Sequence, residues 1–541
     1  MSYPTLEQYN EAIQYPQTAF YDPELKKGNV LTTGLGLPLA LCGGFALTYS
    51  IQSSGKKYAV RCFHKKSDAL ELRYKAISNK IKSLQSPYFV DFEFQSVGVN
   101  VNGKTAPVVK MAWANGETLG EFLEGNYRSK DKLQALKASL ASLAGFLEGK
   151  GIAHGDIQPG NVIVSSGGRS IQLIDYDGMY VDEIRSLGGA ELGHRNFQHS
   201  KRNAQAWNPQ LDRFSFIELN LALCVLESHP EFWDQTKSDG DSILFKANDF
   251  ADPGNSVLFN KLFGIQQFSD DAKNFAAICK ASFTSLPTLD DFIARKNIPQ
   301  VSISISQQAT PTIQQYIGAF SVLDAGNYDL CLKYVGDRVE LIGQIVEVAE
   351  KKTRYGKPYV FINFGSWRGK IAKISIWSEG LAVLQNKPNA SWVGKWISVT
   401  GLMEPPYQSK RYKYSHLSIS ITQANQLHIL QESEARYRLG SSTGVVRQMP
   451  TSSNRDVLEG MKGRPAPSMP RPQTTQPLSK NQSVLATMKR QQPPTSLPPQ
   501  KTSRPAPQQP SQKPTSDKGS NWWIWIVVIV GILWFLLKNK R

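Results

Sequence analysis

Apolar positions along this chain follow two different periods. Leu133, Leu136, Leu140, Leu143 and Leu147 recur at spacings of three and four. That places them on one face of an amphipathic helix, which Gly149 and Gly151 end. Residues 211–226 (LDRFSFIELNLALCVL) are apolar on nearly every face and predict a central, buried helix. Elsewhere the period is two. FALTYSI (45–51) and KYAVRCF (57–63) read as strands flanking a Ser-Ser-Gly turn. Val162–Val164 and Ile171–Ile174 read as a further short pair. Five more strands are expected in the second part of the chain, at Arg338–Val348, Pro358–Phe364, Ala372–Trp377, Lys395–Leu402 and Leu417–Ile421. Gly343 and Gly401 sit mid-strand, where bulges would let a small barrel bend. Last comes Trp522–Leu537, sixteen apolar residues with one Gly and no charge. With tryptophans at both ends and Lys538 able to snorkel, it reads as a C-terminal membrane helix.

These patterns divide the chain into 1–297, a linker at 298–312, a β-rich block at 313–440, a tether at 441–520 and the apolar end at 521–541. The tether holds 14 of the 31 prolines and cannot form a packed core. At 541 residues the chain has ample length for several cores, and its composition excludes a collagenous or wholly disordered protein. Cys42, Cys62, Cys224, Cys279 and Cys331 are scattered without a C-x-x-C pair, as in a reducing compartment. No signal peptide is expected in Met1–Phe20.

Charge changes the picture by its location. The formal net charge is +17, but 441–520 carries 12 Lys/Arg against 3 Asp/Glu, and 300–440 carries 16 against 10. The largest block is close to neutral. Overall basicity therefore speaks for a tether beside anionic lipid more than for a nucleic-acid-binding enzyme.

Chemistry concentrates between 41 and 215. Gly43-Gly44 precedes the first strand, where glycine permits close approach of a phosphate. The Leu-striped helix is followed by His154-Gly155-Asp156-Ile157-Gln158-Pro159-Gly160-Asn161, and the second short strand leads into Asp175-Tyr176-Asp177-Gly178. Two carboxylates in two loops, with an Asn between, can accept a hydroxyl proton and hold Mg²⁺. His194 and His199 lack a third ligand at metal-site spacing and read as residues of an exposed loop.

Taken together and in order, these segments resemble the protein kinase superfamily. HGDIQPGN matches the catalytic-loop pattern H-x-D-x-x-x-x-N, and LIDYDG matches the strand leading into Asp-Phe-Gly. LCGGFALTY resembles the glycine-rich loop, YAVRCF the strand of Val-Ala-Ile-Lys, and SPYFV the segment after the regulatory helix. VVKMAWANGETLGEFL resembles the hinge, GHRNFQHS the end of the activation segment, and LDRFS the start of the central helix. The resemblance implies an α+β, bilobal fold binding ATP and Mg²⁺. It makes Asp156 the catalytic base and Asn161 and Asp175 metal ligands. Gly43, Gly44 and Arg61 would lie on the phosphates, Met111, Ala112 and Trp113 on the nucleotide, and Asp212 would brace the catalytic loop.

Several positions depart from that pattern. Arg61 replaces the phosphate-pairing Lys, and its fork positions charge differently. No Glu stands near Ile77 to pair with it, Glu71 being the nearest acid. Asp177 replaces a Gly, Gly155 an Arg, and Gln158 a Lys. Besides Tyr176 and Tyr180, the only hydroxyls from Asp175 to Ser200 are Ser186 and Ser200, so activation by loop phosphorylation is not expected.

The β-rich block resembles an OB-fold, a small five-stranded barrel. In that fold, loops after strands one and four flank the ligand. Here these are KKTRYGK (351–357) and PPYQSKRYKYS (405–415). Lys351, Lys352, Arg354, Tyr355, Lys410, Arg411, Tyr412 and Lys413 mix cations with aromatic faces, as single-stranded nucleic acid requires. A protein partner or docking within the chain is the competing expectation. The whole reads as a single-pass membrane-tethered Ser/Thr protein kinase with a cytoplasmic catalytic domain. A pseudokinase scaffold and an aminoglycoside-type small-molecule kinase are the alternatives.

Overall fold

The computed structural model describes residues 3–440 apart from 33–35, 43–45, 65–68, 304–315, 354–355, 410–413 and 424–425. Gly43, Gly44, Arg354, Tyr355, Lys410, Arg411, Tyr412 and Lys413 lie outside the described residues, as do the tether and Trp522–Leu537. Among the described residues no helix is long and apolar enough to cross a membrane. The architecture is α+β with several sheets.

A six-stranded sheet opens the fold. Its strands are β1 (Asn29–Val30), β2 (Ala40–Cys42), β3 (Ala46–Ser53), β4 (Lys56–Phe63), β5 (Phe92–Val101) and β6 (Lys104–Ala112). They run in the order β1-β3-β4-β6-β5, with β2 paired to β3. Its two long hairpins have the same cause. Ser54-Gly55 and Asn102-Gly103 all adopt positive φ, as a two-residue type I′ turn demands. Helix Leu70–Leu84 packs on this sheet through Tyr74, Ile77 and Ile81.

The helical body follows. Helix Lys130–Lys150 buries Leu133, Leu136, Leu140, Leu143 and Leu147, each worth about 1.5–3 kcal/mol. Gly149 remains inside this helix. Gly151 ends it at φ +62°, its N–H returning to the Glu148 and Leu147 carbonyls. Helix Arg213–Ser228 is buried on nearly every face, as its composition requires. A small sheet joins β7 (Glu117–Thr118), which precedes the first of these helices, to β8 (Val162–Ser165) and β9 (Ser170–Leu173), which follow it.

The second block differs from its expected form. β10 (Ser321–Asp324), β11 (Arg338–Gln344), β15 (Trp396–Leu402) and β18 (Leu427–Leu430) make one sheet, in the order β10-β11-β15-β18. β12 (Glu347–Lys352), β13 (Pro358–Asn363), β14 (Lys370–Ile376), β16 (Glu404–Ser409) and β17 (Tyr414–Ile421) make another, in the order β12-β13-β14-β17-β16. Among the described residues the hydrogen bonding therefore gives two sheets and no closed barrel. The expected strand at 338–348 breaks where Ile345 bonds back to Lys395 while Val346 turns to Asn363 of the other sheet. A second break at Met403 separates β15 from β16, so part of the expected loop 405–415 is strand. The glycines also act differently from expectation. A β-carbon on Gly343 would stand 2.6 Å from the Phe364 ring, and one on Gly401 2.4 Å from Ile419. Both permit close packing, while the recorded register shift lies between Glu404 and Tyr407.

Candidate active site

The segment 154–161 is held from below. Asp212, just before helix Arg213–Ser228, accepts the backbone N–H of His154 at 2.5 Å and of Gly155 at 2.7 Å. Burial pushes the Asp212 carboxyl up, against the pull of His154 and these two N–H groups. His154 Nδ1 accepts the Asp156 N–H at 3.3 Å, and its Nε2 faces the Ile174 carbonyl at 2.9 Å, so one imidazole ties the two loops together. Gly155 has φ +80°, and a β-carbon there would stand 2.0 Å from the Gly178 carbonyl oxygen. The departure from Arg at this position is thus required by the crossing of two backbones.

Asp156 is buried, and its carboxylate accepts three hydrogen bonds from side chains and backbone. Its Oδ2 accepts from Gln158 Nε2 at 2.5 Å and Asn161 Nδ2 at 2.9 Å, and its Oδ1 accepts the His194 N–H at 2.7 Å. Gly193 at φ +73° makes this last contact possible, since a β-carbon would stand 2.8 Å from Asp156 Oδ1. The Asn161 carbonyl takes the Ile174 N–H at 3.0 Å, which sets Asp175 beside this loop.

Arg61 reaches the same place from β4. Its two terminal nitrogens pair with Asp175 at 2.5 Å and Asp177 at 2.6 Å. Tyr74, on helix Leu70–Leu84, donates its hydroxyl to Asp177. Glu71 is exposed and takes no part. The carboxylate expected from the helix is therefore supplied by Asp177, at the position where a Gly was expected. The two acids are in different situations. Burial pushes Asp177 up to about 6, with Asp175 nearby adding to the rise and Arg61 opposing it. Asp175 is half-exposed; burial raises it too, but the Arg61 guanidinium outweighs that and holds it below the ordinary carboxylate value. Asp175 also adopts φ +64°, a left-handed conformation uncommon for a non-glycine residue. Tyr176 is buried against Phe89, Phe92 and His154, and its hydroxyl donates to the Leu173 carbonyl at 2.6 Å.

Three participants have no clear signal in the sequence. Glu191 has a carboxylate oxygen 3.0 Å from where a Gly178 β-carbon would be. Burial, then Asp156, Asp177 and Asp175, push it well above the ordinary carboxylate range. Tyr74 and His194 are the other two. His194 and His199 are both buried, contrary to the exposed loop expected: His199 Nε2 faces the Ile278 carbonyl at 3.0 Å, and the His194 ring packs on Phe197 and Phe320.

Met111, Ala112 and Trp113 lie at the end of β6, next to β4. Arg61 pairs in register with Val109 and Ala59 with Met111. The Trp113 N–H bonds the Lys57 carbonyl at 3.0 Å, and Lys57 Nζ lies 3.3 Å over the Trp113 ring. Among the described residues no three His, Cys, Asp or Glu form a ready metal cage. Mg²⁺ is usually held by one or two carboxylates together with substrate phosphates, and a half-exposed Asp175 beside Asn161 fits that mode. A cavity of about 180 Å³ behind Asp212, lined by Leu147, Phe216 and Leu289, includes no other residue of the cluster.

In the second block Lys351 and Lys352 are exposed on β12. Lys351 stands in register with Tyr359, whose ring lies 5.0 Å from Phe361 and 5.2 Å from Trp377. Lys373 Nζ is 3.9 Å over Phe361. Sequence reasoning placed the aromatic and basic residues in loops and missed this strand face. No protein-family model and no curated protein matches the chain.

Proposed function

We propose that this chain is a membrane-anchored protein kinase that transfers the γ-phosphoryl group of ATP to Ser or Thr of proteins. One observation carries the reading: Asp156, Asn161 and Asp175, from two adjacent loops, converge with Arg61 from the neighbouring sheet. A bilobal kinase architecture is supported by the antiparallel sheet bearing helix Leu70–Leu84, followed by a helical body built on Arg213–Ser228. In the second block, antiparallel β11–β15 and parallel β14–β17 pairing support an open, OB-like module.

In this mechanism Asp156 orients the acceptor hydroxyl and takes its proton. Asp175 and Asn161 would hold Mg²⁺, which neutralises phosphate charge when bound. Arg61 binds phosphate oxygens, and Asp177 with Tyr74 keeps its guanidinium beside Asp175. Asp212 and His154 hold the loop in place.

A second reading, a pseudokinase scaffold, is favoured by one specific observation: Arg61 is engaged by two carboxylates at once. Purified full-length chain with radiolabelled Mg·ATP and a generic protein substrate, beside Asp156→Asn, separates the two. Label on protein that Asp156→Asn abolishes supports the kinase. Nucleotide binding without transfer supports the scaffold, and label on aminoglycosides alone supports a small-molecule kinase. For the second block, the Tyr359–Phe361–Trp377 face supports single-stranded nucleic acid as ligand. A gel shift that fails even at low salt removes that reading.

A further inference from the structure

We infer that the second block is an intramolecular clamp on this site, holding the turn at 193–197 against Asp156 until it is released. The inference rests on the phosphotransfer reading and concerns its regulation. A catalytic base must lie within hydrogen-bond reach of the hydroxyl it deprotonates. Asp156 Oδ1 is instead taken by the His194 N–H at 2.7 Å, and Oδ2 by Gln158 and Asn161. One lone pair of Oδ1 is left for an acceptor hydroxyl, on a residue that is only 7% exposed with this turn lying against it, so approach is easier once the turn moves away.

Phe197 and the Asn196 N–H hold the His194 ring from within the first block, and the second block adds a further set of contacts. Phe320 meets the imidazole edge-on, with centroids 5.7 Å apart and planes at 89°. Arg338, at the start of β11, lies over the Phe320 ring, 4.7 Å from its centroid. The next residue of the turn, Arg195, reaches the Gly318 carbonyl at 3.5 Å, and Asn248 accepts the Ile317 N–H at 2.9 Å. The residues just before β10 are thus bound to the turn and to the segment behind it. His194 Nδ1 accepts the Asn196 N–H at 3.3 Å, while Nε2 has no hydrogen bond and stands 3.8 Å from Asp241, so that side of the ring is held by packing.

Charge works in the same direction. Asp156, Asp175, Asp177 and Glu191 put four carboxyls close together. Arg338 adds positive potential at Asp175 and Asp241, where the first block is rich in acid. A cation from the second block thus stands near the carboxylate that a divalent ion would use. Binding of Mg·ATP and docking of the second block then oppose each other, and a population shift between docked and released forms sets the rate.

The test uses the full chain with Phe320→Ala and Arg338→Glu combined, neither residue belonging to the reacting groups. Two quantities are read: hydrogen exchange at the amides of 193–197, and label transfer from Mg·ATP. The clamp predicts faster exchange at these amides and transfer raised on the order of tenfold. Phe320→Leu, which keeps an apolar side chain of most of the volume and removes the ring edge, replaces the double variant if that one does not fold. Unchanged exchange in a folded variant overturns the clamp. So does faster exchange with nucleotide bound but transfer no faster than wild type. Faster exchange with no Mg·ATP binding by either protein overturns the phosphotransfer reading itself, and with it the regulatory role.

Discussion

In the first block Asp177 receives the Tyr74 hydroxyl and the Arg61 guanidinium, and in the second Glu340 receives the Tyr316 hydroxyl and the Arg438 guanidinium. Both arginines have a second carboxylate, Asp175 for Arg61 and Glu434 for Arg438. The surroundings separate the two triads. Glu340 gains a further donor in Ser398 at 2.8 Å, and Glu434 is a local i,i+4 partner near the surface. Around Arg61 the extra neighbour is another acid, Glu191, whose charged form burial and the nearby carboxylates disfavour. One triad is satisfied and joins β11 to the helix Glu432–Arg438. The other has more acid than base, and its surplus is balanced when a cation or a proton arrives. A buried ion pair by itself therefore does not distinguish a brace from a site; the charge left over does.

The largest test of this contrast is Asp156→Asn, which removes the acceptor in the charge-rich region. Label transfer should fall about 10²- to 10⁴-fold. A loss below tenfold would break the assignment of Asp156.

Next is stability within the charge-rich triad. Asp177→Ala strips a buried partner from Arg61 and should cost about 3–5 kcal/mol in urea unfolding. Asp175→Ala should cost less, because that side chain is 44% exposed against 6% for Asp177. Equal losses would show that burial does not separate the two acids.

A third test uses pH. Burial lowers His194 from 6.5 to about 4, with Arg338 adding to the fall and Asp156 and Asp239 opposing it. The unfolded chain then binds more protons than the folded one between these values, so stability rises with pH across that window. Going from about pH 7 to about pH 5 should cost the fold about 2 kcal/mol through His194 alone. The comparison is with His194→Gln, which should lose this part of the slope. Parallel curves would refute the assignment.

The smallest effect sharpens the comparison directly. Tyr74→Phe should destabilise more than Tyr316→Phe by about 1 kcal/mol, because Glu340 keeps two donors and Asp177 keeps only Arg61. Equal values would mean that both triads are braces.

Much of the local structure was readable from side-chain pattern. The leucine stripe placed helix Lys130–Lys150, and alternation placed β3, β4, β13 and β17 to within a few residues. Gly149 did not end its helix, because a glycine inside a long, well-packed helix costs only about 1 kcal/mol. The single strand expected at 338–348 became two, since alternation does not show where a chain leaves one sheet for another. β16 was hidden by two prolines, Pro405 and Pro406, at the register shift beside its partner. At the site, Asp156, Asn161 and Asp175 stood out in their loops. Glu191 and Tyr74 stood in no motif or spacing that marked them.

The order of elements, the charge of each segment and the chain positions able to do acid–base or metal chemistry were determined by the amino-acid sequence alone. Each follows from residue type and from periods a few residues long. Only tertiary structure decided that Asp177, 116 residues along the chain, would pair with Arg61, and that His194 would cap Asp156. These outcomes depend on which charges lose water together at one point, and that is a property of distance and burial across the fold, not of spacing along it.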